Sequence, residues 1–389
     1  MISRQIFEII RAQLKKEKSL LILGPRQVGK TTFVKSLKFD LEINLATRHE
    51  RLKYEKTPEE LTHRILSFKK KPIVYIDEIQ LVPSLMGEIQ VLIDEKKAQF
   101  ILTGSSARKL KMDAEMNLLP GRLVHIKMDP LAVCEYNQTL EDTLTFGQLP
   151  RVALEIDSEQ KDLELHSYVE SYIEEEIRKE TRLRQIAPFS RFIELAAIQS
   201  GRISNFTEIS KEIGPTVATI QSYFQTLEDT LFVARISPYL KNASRKKLTK
   251  SSRYLFFDLG VRRVAAGEGR KFLPERKGEL FEHLIGNEIL KWIHGRCQSA
   301  RLFFWRDSDG PEIDWLIEYD GRLLPIEVKL KSQPKPGDAK HLKTFLSEYK
   351  DANEGLIVAR NEVPVILEKN IRVINYQELH QFLDKWKKS

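Results

Sequence analysis

Only two cysteines, Cys134 and Cys297, occur in 389 residues, far apart and outside any Cys-x-x-Cys spacing. That scarcity argues against a disulfide framework or a zinc ribbon and for a reducing compartment. No apolar stretch approaches the roughly 20 residues that span a bilayer, so no membrane residence is expected. At the amino end Ile2, Ile6, Ile9, Ile10 and Leu14 recur at helical spacing between charges, which reads as an amphipathic helix rather than a signal peptide. The expected address is the cytoplasm. Charge of neither sign is lacking: 63 Lys and Arg against 55 Asp and Glu leave a net +8. This balance favours polyanionic partners, nucleic acid first, without deciding the matter. At roughly 150 residues per domain the length suggests two or three domains, each able to bury its own core.

What is present is more specific. The apolar run Ser19-Leu20-Leu21-Ile22-Leu23 leads into Gly24-Pro25-Arg26-Gln27-Val28-Gly29-Lys30-Thr31-Thr32, which fits G-x-x-x-x-G-K-[ST] in its strand-then-loop context. Glycines at both ends let the backbone curl so that N–H groups face phosphate oxygens, and the following helix adds the positive end of its dipole. A nucleoside triphosphate is therefore the expected ligand, with Lys30 reaching the β- and γ-phosphates and the Thr31 hydroxyl on Mg2+. Pro72-Ile73-Val74-Tyr75-Ile76 ends in Asp77-Glu78, the form of a buried parallel strand whose carboxyl end faces the site. Asp77 would hold the Mg2+ shell and Glu78 would orient or deprotonate the attacking water.

A third strand, Gln99 to Thr103, runs into Gly104-Ser105-Ser106. Ser105 or Thr103 could sense the γ-phosphate, or the serines could cap a helix starting near Ala107. Leu123 to Met128 supplies a further strand, and the alternation predicts a mainly parallel sheet covered on both faces. Arg108 and Arg122 are the candidates for an arginine that stabilises transition-state charge, in cis or across a subunit boundary, with Arg122 favoured.

These motifs resemble the AAA+ superfamily, and more narrowly the bacterial and archaeal ATPases whose phosphate loop reads G-P-R-Q-x-G-K-T and which carry a DUF4143 carboxyl-terminal region. The resemblance extends through Ile76 to Gln80, Leu102 to Ser106 and Pro120 to Arg122, and implies an ATP-hydrolysing module, often homo-oligomeric. The expected organisation is a P-loop ATPase domain over residues 1–135, a helical linker or lid over 136–188, a winged-helix domain over 189–268 and a nuclease-like α/β domain over 269–389.

In the middle block, residues 160–182 are helical in pattern and acidic at Glu170, Glu174, Glu175, Glu176 and Glu180, which reads as a solvated face. Three short helices follow, over 192–199, 206–213 and 215–228, with Gly214-Pro215 making a helix-turn-helix corner. Two strands, Leu231 to Ile236 and Arg253 to Asp258, would form the wing. Lys241, Arg245, Lys246, Lys247, Lys250 and Arg253 lie between or beside them with no acidic residue intervening. Such a run would contact phosphates, yet the third helix has no Lys or Arg with which to read bases. Non-specific or structure-directed contact with DNA, or a protein interface, are both open.

In the last block Asp320-Gly321 marks a two-residue hairpin turn. Pairing outward sets Tyr319 opposite Arg322, Glu318 opposite Leu323, and Asp314 opposite Glu327. Opposed carboxylates roughly 5 Å apart would repel unless something cationic sits between them, and a divalent metal suits that position. Lys329 shares their face, and Glu282 on the preceding helix could supply a third carboxylate. Asp314, Glu327-Val328-Lys329 and Glu282 resemble the PD-(D/E)xK nuclease superfamily, which implies Mg2+-dependent phosphodiester hydrolysis. Asp314 follows Glu312-Ile313 rather than a proline, so the likeness leans on Glu-x-Lys and the hairpin. A charged hairpin without function and a retained fold without cleavage remain alternatives. The combined expectation is an ATP- and Mg2+-dependent protein acting on nucleic acid, or a nucleotide-dependent regulatory scaffold for protein partners.

Overall fold

A computed structural model describes residues 2–105, 119, 121–173, 187–240, 251–307 and 310–388. The chain divides into two compact units, Met1–Pro130 with Asp229–Phe232, and Leu131–Glu228 with Val233–Ser389.

Unit 1 is built on five parallel strands, β1 (Ser19–Leu23), β2 (Leu41–Asn44), β3 (Ile73–Asp77), β4 (Gln99–Gly104) and β5 (Leu123–Lys127), in the order β2-β3-β4-β1-β5. The apolar runs are continuous rather than alternating because both faces of the sheet are covered, and every residue of β4 is buried. Its described helices are α1 (Ile6–Lys15), α2 (Lys30–Val34), α3 (Arg48–Lys56), α4 (Glu60–Leu66) and α5 (Leu85–Asp94). Ile43, Ile76, Phe100 and Leu102 from the strands share a core with Leu61, Leu85 and Ile89 from the helices. Because all five strands run one way, whatever follows β1, β3 and β4 collects at a single edge.

Unit 2 contains an eight-stranded mixed sheet in the order β12-β13-β11-β10-β9-β8-β6-β7. Its strands are β6 (Val233–Pro238), β7 (Arg253–Phe256), β8 (Arg301–Arg306), β9 (Glu312–Tyr319), β10 (Arg322–Val328), β11 (Gly355–Ala359), β12 (Val365–Glu368) and β13 (Ile371–Asn375). The described helices are α6 (Leu140–Phe146), α7 (Pro150–Leu154), α8 (Ser158–Ser171), α9 (Ala187–Ile198), α10 (Phe206–Ile213), α11 (Val217–Asp229), α12 (Leu259–Ala265), α13 (Pro274–Arg296), α14 (Lys340–Glu348) and α15 (Leu379–Trp386). Asn205 caps α10 by accepting from the N–H groups of Thr207 and Glu208, and Gly214, at φ 102°, ends it.

The β6–β7 ribbon expected as a wing is antiparallel, but Ser237 and Pro238 also pair in parallel with Phe303 and Phe304 of β8. The ribbon is thus the margin of the terminal sheet. One core accordingly joins Leu144, Ile236, Leu255 and Leu259 to Trp292, Phe304, Trp315 and Trp386. Helix α13 approaches β9 closely because residue 286 is glycine: a Cβ there would sit 2.7 Å from a ring carbon of Trp315.

Within this unit Glu288 is buried yet fully engaged. It accepts from the Val133 N–H at 3.0 Å, pairs with Lys291 at 2.8 Å and lies 3.0 Å from His380 Nε2. Burial alone would push Glu288 up, but Lys291 and His380 outweigh it and hold the carboxyl at about 2. Burial likewise opposes a charged His380, yet hydrogen bonds with Cys134 and Glu288 raise it to about 9. A raised histidine stabilises the fold fully below its unfolded value of 6.5, and that contribution is lost as pH rises through about 9. The stability margin of the wild type over His380→Gln is therefore expected to be a few kcal/mol at pH 6 and to have vanished by pH 9.5. Denaturant titrations followed by tryptophan fluorescence measure it; an equal margin at both pH values would contradict the pairing.

Candidate functional site

In unit 1, β1 ends at Leu23 and the chain turns through Gln27 (φ 61°) and Gly29 (φ 94°) before α2 begins at Lys30. Gly24 admits no side chain, since a Cβ would lie 2.2 Å from the Met128 carbonyl oxygen. The loop thus forms a close-walled cradle at the amino end of α2. The Lys30 ammonium, buried, donates to the carbonyl oxygens of Gly24 at 2.7 Å and Pro25 at 2.8 Å. Thr31 Oγ1 donates to Asp77 Oδ2 at 3.1 Å.

The end of β3 comes to the same edge. Asp77 also accepts from the Thr103 hydroxyl of β4, so its two oxygens are fixed from the loop on one side and from β4 on the other. Glu78 adopts the left-handed conformation (φ 57°, ψ 48°), which a non-glycine residue holds only when its surroundings enforce it. Its carboxylate accepts from Ser105 Oγ at 3.0 Å and from the Gln80 amide, and Gln80 Nε2 also donates to Ser105 at 3.1 Å. Lys30, Thr31, Asp77, Glu78 and Ser105 therefore meet at one sheet edge.

The donor set suits a nucleotide with Mg2+: a hydroxyl beside one carboxylate, as expected where phosphates supply the remaining oxygens. Bound there, ATP and Mg2+ would bring an electrophilic phosphorus to this edge. The chain's own share would be the loop N–H groups and Lys30 against phosphate oxygens, Thr31 and Asp77 toward the metal, and Glu78 toward a water.

Two residues at this edge have no role in the motif reading. Gln80 ties Glu78 to Ser105. Tyr75 sits two positions before Asp77, on the same strand face, and its buried phenol is pushed up by burial and then by the Asp77 charge. Strict period-two alternation along β3 is the sequence signal that pairs Tyr75 with Asp77. Arg122 lies elsewhere. β5 runs parallel to β1 with Leu123 level with Ser19, so Arg122 stands at the opposite edge, about 16 Å from the loop by strand rise, ion-paired with Asp94 at 2.6 Å. It therefore lies away from the loop of its own chain. Arg108, Ser106 and the helix expected from Ala107 lie outside the described residues.

In unit 2 the hairpin pairs Tyr319 with Arg322, Glu318 with Leu323 and, at the last ladder step, Trp315 with Ile326, which leaves Asp314 and Glu327 as the next neighbours. Asp314 Oδ2 accepts from the Val328 N–H at 2.8 Å, and Lys329 Nζ donates to Glu327 Oε2 at 2.7 Å. Glu282, from α13, is raised to about 8 by burial and then by Asp314; Glu327 is raised to about 8 by the same two causes. The four residues are neighbours.

They are not arranged around a metal. Among the described residues no three His, Cys, Asp or Glu side chains are grouped to hold an ion. The cations beside these acidic residues are the protein's own: Lys329 at Glu327, and Arg253, whose NH1 donates to Glu282 Oε1 at 2.6 Å and whose NH2 engages Glu312. Arg253 is buried at the start of β7, with its guanidinium over the rings of Phe304 and Trp315. The expectation of Arg253 as a phosphate-contacting wing residue is corrected accordingly. Lys241, Arg245, Lys246, Lys247 and Lys250 lie outside the described residues, as do Glu174, Glu175, Glu176 and Glu180.

Residues 16–137 match the family described as AAA domain. Over those residues the chain is similar to ATPase-like AAA domains. Beyond the AAA domain, residues 137–271 match a domain of unknown function (DUF8612) and residues 277–379 another (DUF4143). Uncharacterized proteins of Mycobacterium bovis and Mycobacterium tuberculosis are each 24% identical over 337 residues, covering 84% of this chain and 73% of theirs. The crystal structure of a Vibrio cholerae protein aligns over 95% of this chain and 98% of its own at 14% identity, with a TM-score of 0.22, too low to bear on the fold. No described helix is long and apolar enough to cross a membrane.

Proposed function

We propose that this AAA-domain protein hydrolyses ATP with Mg2+ at the unit 1 edge and uses the nucleotide cycle to govern how unit 2 engages nucleic acid, DNA above all. The observation that carries the ATPase reading is the convergence of three parallel strand ends, bringing the Lys30-Thr31 loop, Asp77-Glu78 and Ser105 together. Lys30 and Glu78 are the residues on which turnover depends, and Arg122, remote from its own loop, would serve a neighbouring copy in a homo-oligomer. The nucleic-acid reading rests on the net charge of +8 and the basic run Lys241, Arg245, Lys246, Lys247 and Lys250 in the sequence. Three helices followed by a two-stranded ribbon support a winged-helix reading of residues 189–268, and the neighbourhood of Glu282, Asp314, Glu327 and Lys329 supports a nuclease-like reading of residues 269–389.

A regulatory scaffold with a silent terminal domain is the second reading, and the Arg253 pairing with Glu282 favours silence at that site. Salt titration of DNA binding separates the two. If the five basic residues contact phosphates, log affinity falls against log salt with a slope of about −4.5. A slope near zero would leave only the scaffold.

A further inference from the structure

The terminal carboxylates are individually occupied by groups of the protein itself. Glu282 holds Arg253 at 2.6 Å, Asp314 holds the Val328 N–H at 2.8 Å, and Glu327 holds Lys329 at 2.7 Å. Arg253 is the partner drawn from furthest away, across α13 and β9. Its guanidinium also reaches the Asp314 carbonyl oxygen at 3.4 Å and engages Glu312. Its side chain is 4% exposed, and the faces of Phe304, at 4.6 Å, and Trp315, at 5.4 Å, flank it. A cation over two rings and against two carboxylates has electrostatic attraction on every side and almost no water to return to.

One acceptor in this cluster is left over. Glu327 Oε1 is buried, in a side chain 3% exposed, with no hydrogen-bond partner among the described residues, and His341 Nδ1 stands 3.8 Å from it. A buried carboxylate oxygen without a donor is costly, and it marks the direction from which a further cation would be accepted.

We propose that Arg253 is a built-in cation lock: its guanidinium takes the charge-neutralising position at Glu282 and so keeps Glu282, Asp314 and Glu327 from assembling around a divalent metal. This rests on the nuclease-like reading of the terminal region and adds the reason why that centre is closed. The single positive charge of Arg253 and a divalent metal cannot both be accommodated beside Glu282, because each would remove the attraction that holds the other. Arginine suits the lock better than lysine. Its planar fork serves Glu282 and Glu312 at once, and it stays charged at every pH the protein meets.

The test is Mn2+ binding to the nucleotide-free full chain by titration calorimetry, for wild type, Arg253→Met and Arg253→Met with Asp314→Asn. Methionine keeps an apolar stem between Phe304 and Trp315 while removing the charge. Arg253→Met is expected to gain one Mn2+ site at least tenfold tighter than any in the wild type, and the added Asp314→Asn to abolish it. Tryptophan fluorescence, to which Trp315 contributes, reports whether each variant is folded. If Arg253→Met fails to fold, Glu312→Gln takes its place, loosening one prong of the fork, and a gain of about threefold is expected. Equal tight binding by wild type and folded variant would overturn the lock while leaving the carboxylate centre standing. Absence of Mn2+ binding in every folded variant would overturn the lock and the nuclease-like reading together.

Discussion

Glu78→Gln is expected to lower ATP turnover by about 10²- to 10⁴-fold, the usual share of a positioned general base, while ATP still binds. The glutamine keeps the shape and can still receive the Ser105 hydroxyl that reaches Glu78 at 3.0 Å, so the left-handed backbone at this position stays supported. What it loses is the carboxylate charge and the capacity to accept a proton from water. Lys30→Ala separates from it by the step affected. The buried ammonium is seated between the Gly24 and Pro25 carbonyls, ready to exchange them for phosphate oxygens, so its removal weakens nucleotide binding as well as turnover. Steady-state hydrolysis together with equilibrium nucleotide binding distinguishes the two variants. Turnover within threefold of wild type in both would overturn the assignment of this edge.

Lys291→Met is the largest expected stability loss, about 3–5 kcal/mol, the range for breaking a buried ion pair from one side. The Lys291 ammonium donates to Glu288 Oε1 at 2.8 Å, to Gln148 Oε1 at 2.7 Å and to the Leu131 carbonyl at 2.8 Å. All its donors are therefore engaged, and methionine of similar length leaves three buried acceptors short of a partner. Adding Glu288→Gln should restore part of the loss, because the residual buried charge goes with it. All four tryptophans, Trp292, Trp305, Trp315 and Trp386, belong to unit 2, so their fluorescence follows this unit's unfolding without a contribution from unit 1. A loss below 1 kcal/mol for Lys291→Met would show that water reaches the cluster.

The parallel sheet of unit 1 was legible because its information is local: each strand is a short apolar run, and the chemistry follows immediately at the strand end, as with Leu23 before Gly24 and Ile76 before Asp77-Glu78. Hairpin register in unit 2 was legible for the same reason, since Asp320-Gly321 fixes the turn and the period-two alternation does the rest. Arg253 was not legible. It sits at the end of a basic run and reads as one more exposed charge, and only the folding of β7 beside α13 and β9 brings it against Glu282 and Glu312. The parallel pairing of Ser237 and Pro238 with β8 is equally non-local: nothing in the composition of β6 says that the ribbon will extend the terminal sheet. Whether Arg122 serves its own site or a neighbour's was left open by the sequence, because neighbourhood along the chain says which strand a residue adjoins but not which end of the sheet it occupies.

Unit 1 is assembled from Met1–Pro130 and the short return at Asp229–Phe232. During synthesis its last piece is delivered only after the whole of residues 131–228 has left the ribosome, so the nucleotide-handling unit is finished late despite being started first. A chain truncated at Pro130 omits part of that unit's own body.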